Sequence, residues 1–206
     1  MNLDFGTGNT GGISGVSSLN LQKNMTLDLT KHSNLKHIRV GMGWQANANG
    51  MFDLDASALL LNSRGLINDN GDVIFYNQLD TGRGVRSEGD NRSGSYDNVG
   101  ATDDETILVD LDRIPSNVNS VKFIVTIDKA IERRQNFGQV RQAYIRVVND
   151  DTGEELCIYR LNEEFDMQIC VEIAELKRAG SGWEFTALGK GTNETLENIL
   201  MRHGVK

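Results

Sequence analysis

Residues 52–62 read FDLDASALLLN. The first six alternate: Phe52, Leu54 and Ala56 fall on one face of an extended chain, and Asp53, Asp55 and Ser57 on the other. That period of two is the signature of a strand with one apolar and one wet face, not of a helix. The same rhythm recurs on both sides. HIRVGMGW (37–44) places Ile38, Val40, Met42 and Trp44 together, and MTLDLTK (25–31) does so with Met25, Leu27 and Leu29. VIFYNQ (73–78), TILVDLDRI (106–114), VKFIVTID (121–128), AYIRVV (143–148), ELCIYRL (155–161), MQICVEIAEL (167–176) and WEFTAL (183–188) follow. About ten strands are expected, separated by turn chemistry such as NDNGD (68–72). NDDTGE (149–154) and RAGSG (178–182) read as hairpin turns.

Only the C-terminal stretch GTNETLENILMRHG (191–204) has helical spacing. Leu196, Ile199, Leu200 and His203 repeat at i, i+3, i+4 and i+7, with Thr192 or Asn193 as N-cap and Gly204 as the stop. One short helix on many strands, with a single proline in the chain, points to an all-β, antiparallel β-sandwich. Residues 1–17, rich in Gly, Ser, Thr and Asn, read as a flexible tail, and 18–206 as the folded domain. The tail holds a Gly-x-Gly-x-x-Gly pattern at Gly6, Gly8 and Gly11. A dinucleotide site needs a strand before that pattern and a helix after it, and neither is present.

The 206 residues are 38% hydrophobic and 24% charged, with a formal net charge of −8. That balance argues against a nucleic-acid partner, which would need clustered Lys and Arg. No apolar run is long enough for a membrane span, and the N-terminal stretch lacks the pattern of a signal peptide. Two cysteines, Cys157 and Cys170, make no disulfide framework, and a reducing cytoplasm is expected. They lie in no Cys-x-x-Cys motif and beside no evident base, so inert thiols are favoured. His32, His37 and His203 are scattered, and no P-loop or Gly-x-Ser-x-Gly elbow appears. Arg133, Arg134 and Arg141 read as surface bases rather than an anion site, and Phe137 as a residue packed inward.

The acid is unevenly spread. Residues 88–112 hold eight carboxylates and one base, Arg92. Such a block is either solvated or balanced by a cation. Asp53 and Asp55 add a second group. Two residues apart on a strand, they stand roughly 6–7 Å from each other, and their repulsion is about 0.6 kcal/mol in water. Asp90, Asn91, Asp103, Asp104 and Glu105 come from the later loop, and Asn77 from the end of another strand. All are oxygen donors, without the His and Cys of zinc sites. Hard oxygen ligands suit Ca²⁺, which accepts six to eight of them in flexible geometry, better than the tight octahedron of Mg²⁺. An EF-hand starting at Asp53 fails, since Ala58 and Arg64 occupy its Gly and Glu positions.

VGMGW (40–44), FDLDAS (52–57), FYNQL (75–79), GDNRSG (89–94), DDE (103–105), QNFGQVRQAYIRVVNDDTGEEL (135–156) and WEFTALGKG (183–191) occur in an order that resembles the TerD family of tellurium-resistance and stress-response proteins. The resemblance runs from about Leu19 to Gly204. It implies a calcium-binding β-sandwich of the bacterial cytoplasm, with acidic loops carrying more than one ion. Asp53 and Asp55 match the family's Asp-Leu-Asp, Asp90 and Asn91 its Gly-Asp-Asn, and Asp103, Asp104 and Glu105 its Gly-Asp-Asp-Glu. Thr102 stands where the family has the Gly before its acids, and the link SGSYDNVGAT (93–102) is longer. The expected function is a non-enzymatic Ca²⁺ module whose ordered acidic rim meets protein partners of the tellurite and stress response. The rivals are a metal- or thiol-dependent detoxifying enzyme and a scaffold that self-associates through sheet edges.

Overall fold

The computed structural model describes residues 18–46, 52–89, 103–161, 165 and 167–205. The tail and its glycine pattern lie outside them. Two six-stranded sheets form. The first runs, in spatial order, β1 (Leu19–Leu21), β10 (Glu155–Arg160), β9 (Val140–Asn149), β3 (His37–Ala46), β7 (Glu105–Asp110) and β6 (Val85–Ser87). The second runs β2 (Thr26–Asp28), β12 (Gly182–Thr192), β11 (Cys170–Ala179), β8 (Ser120–Ile127), β4 (Leu54–Leu61) and β5 (Val73–Ile74). Every neighbouring pair is antiparallel except β1 with β10. The four edge strands have only two or three residues each. Edges this short offer little unpaired backbone to another chain.

Alternation builds the core. Ile38, Val40 and Met42 of β3, Ile107 and Val109 of β7, and Ile145 and Val147 of β9 face Leu54, Ala56, Ala58 and Leu60 of β4, Val121, Phe123 and Val125 of β8, and Phe185 of β12. The Phe123 and Phe185 rings lie 6.2 Å apart at the centre of this layer. Truncating a buried ring of this kind to Ala costs about 3–5 kcal/mol. Trp44 and Trp183 are buried as expected.

A second, smaller core lies on the outer face of the second sheet. Leu59, Leu61, Ile67, Val73, Ile124 and Cys170 are covered there by Ile199 of the C-terminal helix α2 (Leu196–Arg202); the one-turn helix α1 (Ala130–Arg133) lies between β8 and β9. This corrects one expectation. Ser57 was assigned to a wet face but is fully buried, because β4 has apolar cover on both sides from Ser57 onward. The cap of α2 is corrected too: Thr195, not Thr192 or Asn193, accepts from the Asn198 N–H in a reciprocal capping box. Gly204, at φ 94°, ends the helix as expected. Two strands were read too long. VIFYNQ is extended only over Val73–Ile74, then turns back through a Phe75–Gln78 bridge. Leu29 leaves β2 for a 3-10 turn at Leu29–Lys31.

The helix is fastened by one buried carboxylate. Glu172 of β11, with a side chain 2% exposed, accepts from Lys122 at 2.8 Å, Arg202 at 2.9 Å and Lys190 at 3.2 Å. Burial pushes its pKa up, but these cations more than offset that and hold it at about 2. His203, at the end of α2, donates through Nδ1 to the Gly65 carbonyl at 2.7 Å. Burial lowers its pKa, with the charges of Lys122 and Arg202 acting in the same direction.

Two acid limbs should follow in the stability of the fold. A His held neutral stabilises above its unfolded pKa of about 6.5, and loses that contribution as pH falls below it. A Glu with a depressed pKa stabilises above about 4.5, and loses that contribution as pH falls towards 2. Chemical unfolding followed from pH 8 to 2.5 checks this. His203→Gln should flatten the upper limb. Glu172→Gln should shrink the lower limb and cost about 2 kcal/mol at pH 7, below the 3–5 kcal/mol of a fully buried pair because Lys190 and Arg202 are partly in water.

Candidate metal centre

The register places the starts of β4 and β7 at one end of the sandwich. Leu54 pairs with Ile127, and Glu105 pairs with Met42. Leu54, Met42 and Trp44, with Val125, Phe137 and Ala143, line one small apolar cavity between the sheets. Asp53 and Asp55 flank Leu54 on one sheet, and Asp104 and Glu105 precede Thr106 on the other. Both carboxylate pairs therefore adjoin, along the chain, strand segments at this cavity-lining rim. In sequence, Asp90 and Asn91 fall between β6 and β7, and both lie outside the described residues.

The local structure of each carboxylate differs. Asp55 is half-buried and shares the outer face of β4 with Ser57 and Leu59. Asp53 precedes the strand, and its carbonyl accepts from the Asp128 N–H at 2.8 Å. Asp104 is 6% exposed and ties β7 to β3. Its N–H donates to the Met42 carbonyl at 2.8 Å, and its Oδ2 accepts the Trp44 N–H at 2.9 Å. Glu105 is 5% exposed and shares the inner face with Ile107 and Val109. Asn77 is exposed in the turn after β5. The register, Leu59 with Val73 and Ala58 with Ile74, carries that chain towards the Asp55 end of β4.

Asp103 is turned away from this rim. A step of two residues along a strand would return it to the face of Glu105. Instead it lies on the outer face of the first sheet, where Arg146 Nε and Nη2 donate to its two oxygens at 2.8 and 3.1 Å. The Tyr144 hydroxyl donates to Oδ1 at 3.0 Å. The Arg146 guanidinium also reaches Glu155 at 3.2 Å. Burial pulls the Arg146 pKa down, but Asp103 and Glu155 outweigh it and the net shift is upward. Burial, then the charge of Asp103, pushes the Tyr144 pKa up, so its hydroxyl keeps its proton.

Among the described residues, no three of His, Cys, Asp and Glu are gathered closely enough to hold a metal ion. What they supply is two carboxylate pairs. The donor chemistry fits a hard cation, since every predicted ligand offers oxygen. Arg146, Tyr144 and Gly41 were missed by the sequence reading. AYIRVV placed Tyr144 and Arg146 together on the polar face, but their meeting with Asp103 depends on the spatial order β9–β3–β7, which no local pattern records.

The remaining candidates fall out simply. Cys157 and Cys170 are free and buried, one in each sheet. Burial pushes both thiols up to about 12. Arg133 pairs with Asp128 at 3.3 Å, and Arg134 and Arg141 are exposed. Phe137 is packed inward. No helix among the described residues is long and apolar enough to cross a membrane.

Comparison with known proteins gives the lineage. The family model of the TerD domain matches residues 18–203. The chain is 41% identical over 192 residues to the tellurium resistance protein TerD of Serratia marcescens, covering 91% of this chain and 98% of that protein. It is 39% identical over 194 residues to general stress protein 16U of Bacillus subtilis, covering 92% and 98%. A solved homologue of telluride resistance protein (TerD) from Streptomyces coelicolor shares the fold, with a TM-score of 0.64 and 18% identity over 84% of this chain and all of that one. With a family match over nearly the whole described sandwich, the chain belongs to the TerD domain family of tellurium-resistance and stress-response proteins.

Proposed function

We propose that the chain is a non-enzymatic calcium-binding module of a bacterial, cytoplasmic stress response that includes tellurite resistance. The observation that supports this reading is the placement of two carboxylate pairs, Asp53 with Asp55 and Asp104 with Glu105, in segments of opposite sheets whose neighbours Leu54, Met42 and Trp44 line one cavity. A bound cation would offset the mutual repulsion of carboxylates placed at one end of the sandwich. Asp53, Asp55, Asp104 and Glu105 would hold the ions, with Asp90, Asn91 and Asn77 as further donors. When bound, Ca²⁺ supplies positive charge and six to eight coordination places. The chain's own residues position the donors: Trp44 N–H fixes Asp104, and the β4–β8 ladder fixes Asp55.

Neutralising the rim would also change what it offers to another protein. Ile131, 69% exposed, and Met167, 70% exposed, stand on the connections before β9 and β11, at the same end. Apolar side chains beside a rim whose negative charge is offset by an ion suit a protein partner better than the same side chains beside a more negative rim.

The calcium reading is tested by melting chelator-stripped protein with and without millimolar Ca²⁺, with Mg²⁺ as control. Ion at 100 times its dissociation constant adds about 2.7 kcal/mol per site, a rise of about 5–10 °C for a chain of this size. The Asp53→Asn, Asp104→Asn double variant should lose the calcium response. A response that survives in it would remove both residues from the ligand set.

The thiol-enzyme rival makes a contrary prediction. Buried thiols with pKa values near 12 present almost no thiolate at neutral pH. Native protein should therefore leave Cys157 and Cys170 unlabelled by a thiol reagent at pH 7.5 for hours, and label both at once in denaturant. Rapid labelling of either in the native state would reopen the enzymatic reading.

A further inference from the structure

We infer that Asp103, although it stands in the acidic run with Asp104 and Glu105, is not an ion ligand but the positioning residue that aims those two at the rim. The inference rests on the calcium reading for its function, and on geometry for its substance. Both carboxylate oxygens of Asp103 are engaged by the Arg146 fork, one of them also by the Tyr144 hydroxyl. Its side chain is 5% exposed. An Arg–carboxylate fork is the strongest and most directional of the protein ion pairs.

The carboxylate also lies flat on β3. A Cβ added at Gly41 would come within 2.0–2.6 Å of its carboxyl atoms, so only glycine leaves room for it there. Three residues of two strands thus converge on one side chain: Gly41 of β3 from below, and Tyr144 and Arg146 of β9 from the side. All of them belong to the outer face, opposite the inner face that Glu105 occupies.

The consequence for the rim is directional. With Asp103 held outward, the chain turns at Asp104. Asp104 then meets the Trp44 N–H, and Glu105 enters β7 opposite Met42. The fork continues through Glu155 to Ser18, whose hydroxyl donates to Glu155 at 2.5 Å. The start of β7 is therefore braced to the N-terminal edge of the sheet.

A positioning role and a ligand role predict opposite signs for Arg146. If Asp103 positions, breaking the fork misplaces the true ligands, and Arg146→Gln weakens calcium binding. If Asp103 is a ligand, Arg146 competes with the ion for it, and Arg146→Gln tightens binding. The experiment is calorimetric titration of Ca²⁺ into chelator-stripped full-length protein, well below its melting temperature. Wild type, Asp103→Asn, Arg146→Gln, Arg146→Lys, Gly41→Ala and the Asp103→Asn, Arg146→Gln double variant are compared. The expected result is an unchanged ion count, with affinity about 10–100-fold lower in each single variant, the range for residues that orient a metal's ligands. The double variant should be no weaker than the weaker single one, because both break the same clamp. Arg146→Lys should not rescue, since it keeps the charge and loses the fork. Tighter binding in Arg146→Gln, or a lost ion in Asp103→Asn, overturns the inference. If wild type takes up no calcium, the calcium reading fails first, and melts of the same set in chelator decide the clamp. Non-additive losses for Asp103 and Arg146 uphold it, and additive losses overturn it.

Discussion

Taking a carboxylate out of water is the constraint on which this structure depends. Asp72, Asp103, Asp104 and Glu172 each have little exposed side chain or residue surface, and a buried charge is tolerable only when donors meet it. Each of the four is met in a different way, by donors that include Arg83, 11 residues from Asp72, and the Trp44 N–H, 60 residues from Asp104. Arg83 pairs with Asp72 and secures the connection between β5 and β6. Arg146 takes Asp103, the Trp44 backbone takes Asp104, and two lysines and an arginine surround Glu172. The apolar alternation makes two sheets, while these acids decide how the loops and the helix sit upon them.

The same principle divides the molecule into two working regions. On the outer face of the second sheet, Glu172 is met by three cations of the protein itself, and the result is a closed junction under α2. In the other region, Asp53 and Asp55 flank Leu54 at the start of one sheet's β4, and Asp104 and Glu105 stand at the start of β7 of the other sheet. One group of acids fastens the fold; the other is arranged for an ion from outside, in the reading favoured above. Asp103 stands between them in sequence next to the second group, but in its contacts it belongs with the first.

Much of this was legible in the chain. FDLDAS and HIRVGMGW gave the correct inward sets, NDDTGE and RAGSG close the β9–β10 and β11–β12 hairpins, and LENILMR is helical. These features rest on local periodicity and turn chemistry, which a sequence carries directly. Ser57 was misread because β4 is buried on both faces from Ala56 onward, and alternation says nothing about what lands on the polar face. VIFYNQ was misread because its apolar residues suited a strand, while Gln78 pairs back onto Phe75. Asp103 could not be separated from Asp104 and Glu105, since three consecutive acids look equivalent until Arg146 and Gly41 are placed beside one of them. The convergence of Asp53, Asp55, Asp104 and Glu105 was inferred from composition, and among the described residues no three of His, Cys, Asp and Glu are gathered closely enough to hold an ion.

The parallel pairing of β1 with β10, and the pairing of β2 with β12, have a consequence for synthesis. Leu19 meets Cys157, and Thr26 meets Thr186. The two segments made first by the ribosome are thus among the last to find their places. At about 5–20 residues per second, each waits on the order of ten seconds or more for its partner strand to emerge. Until then β10 and β12 do not exist to receive them, so the nascent chain must keep Leu21 and Leu29 from other partners. Loop closures of this length are slow and leave apolar surface open. A protein of the stress response is therefore itself exposed, during its own birth, to the conditions that call for it.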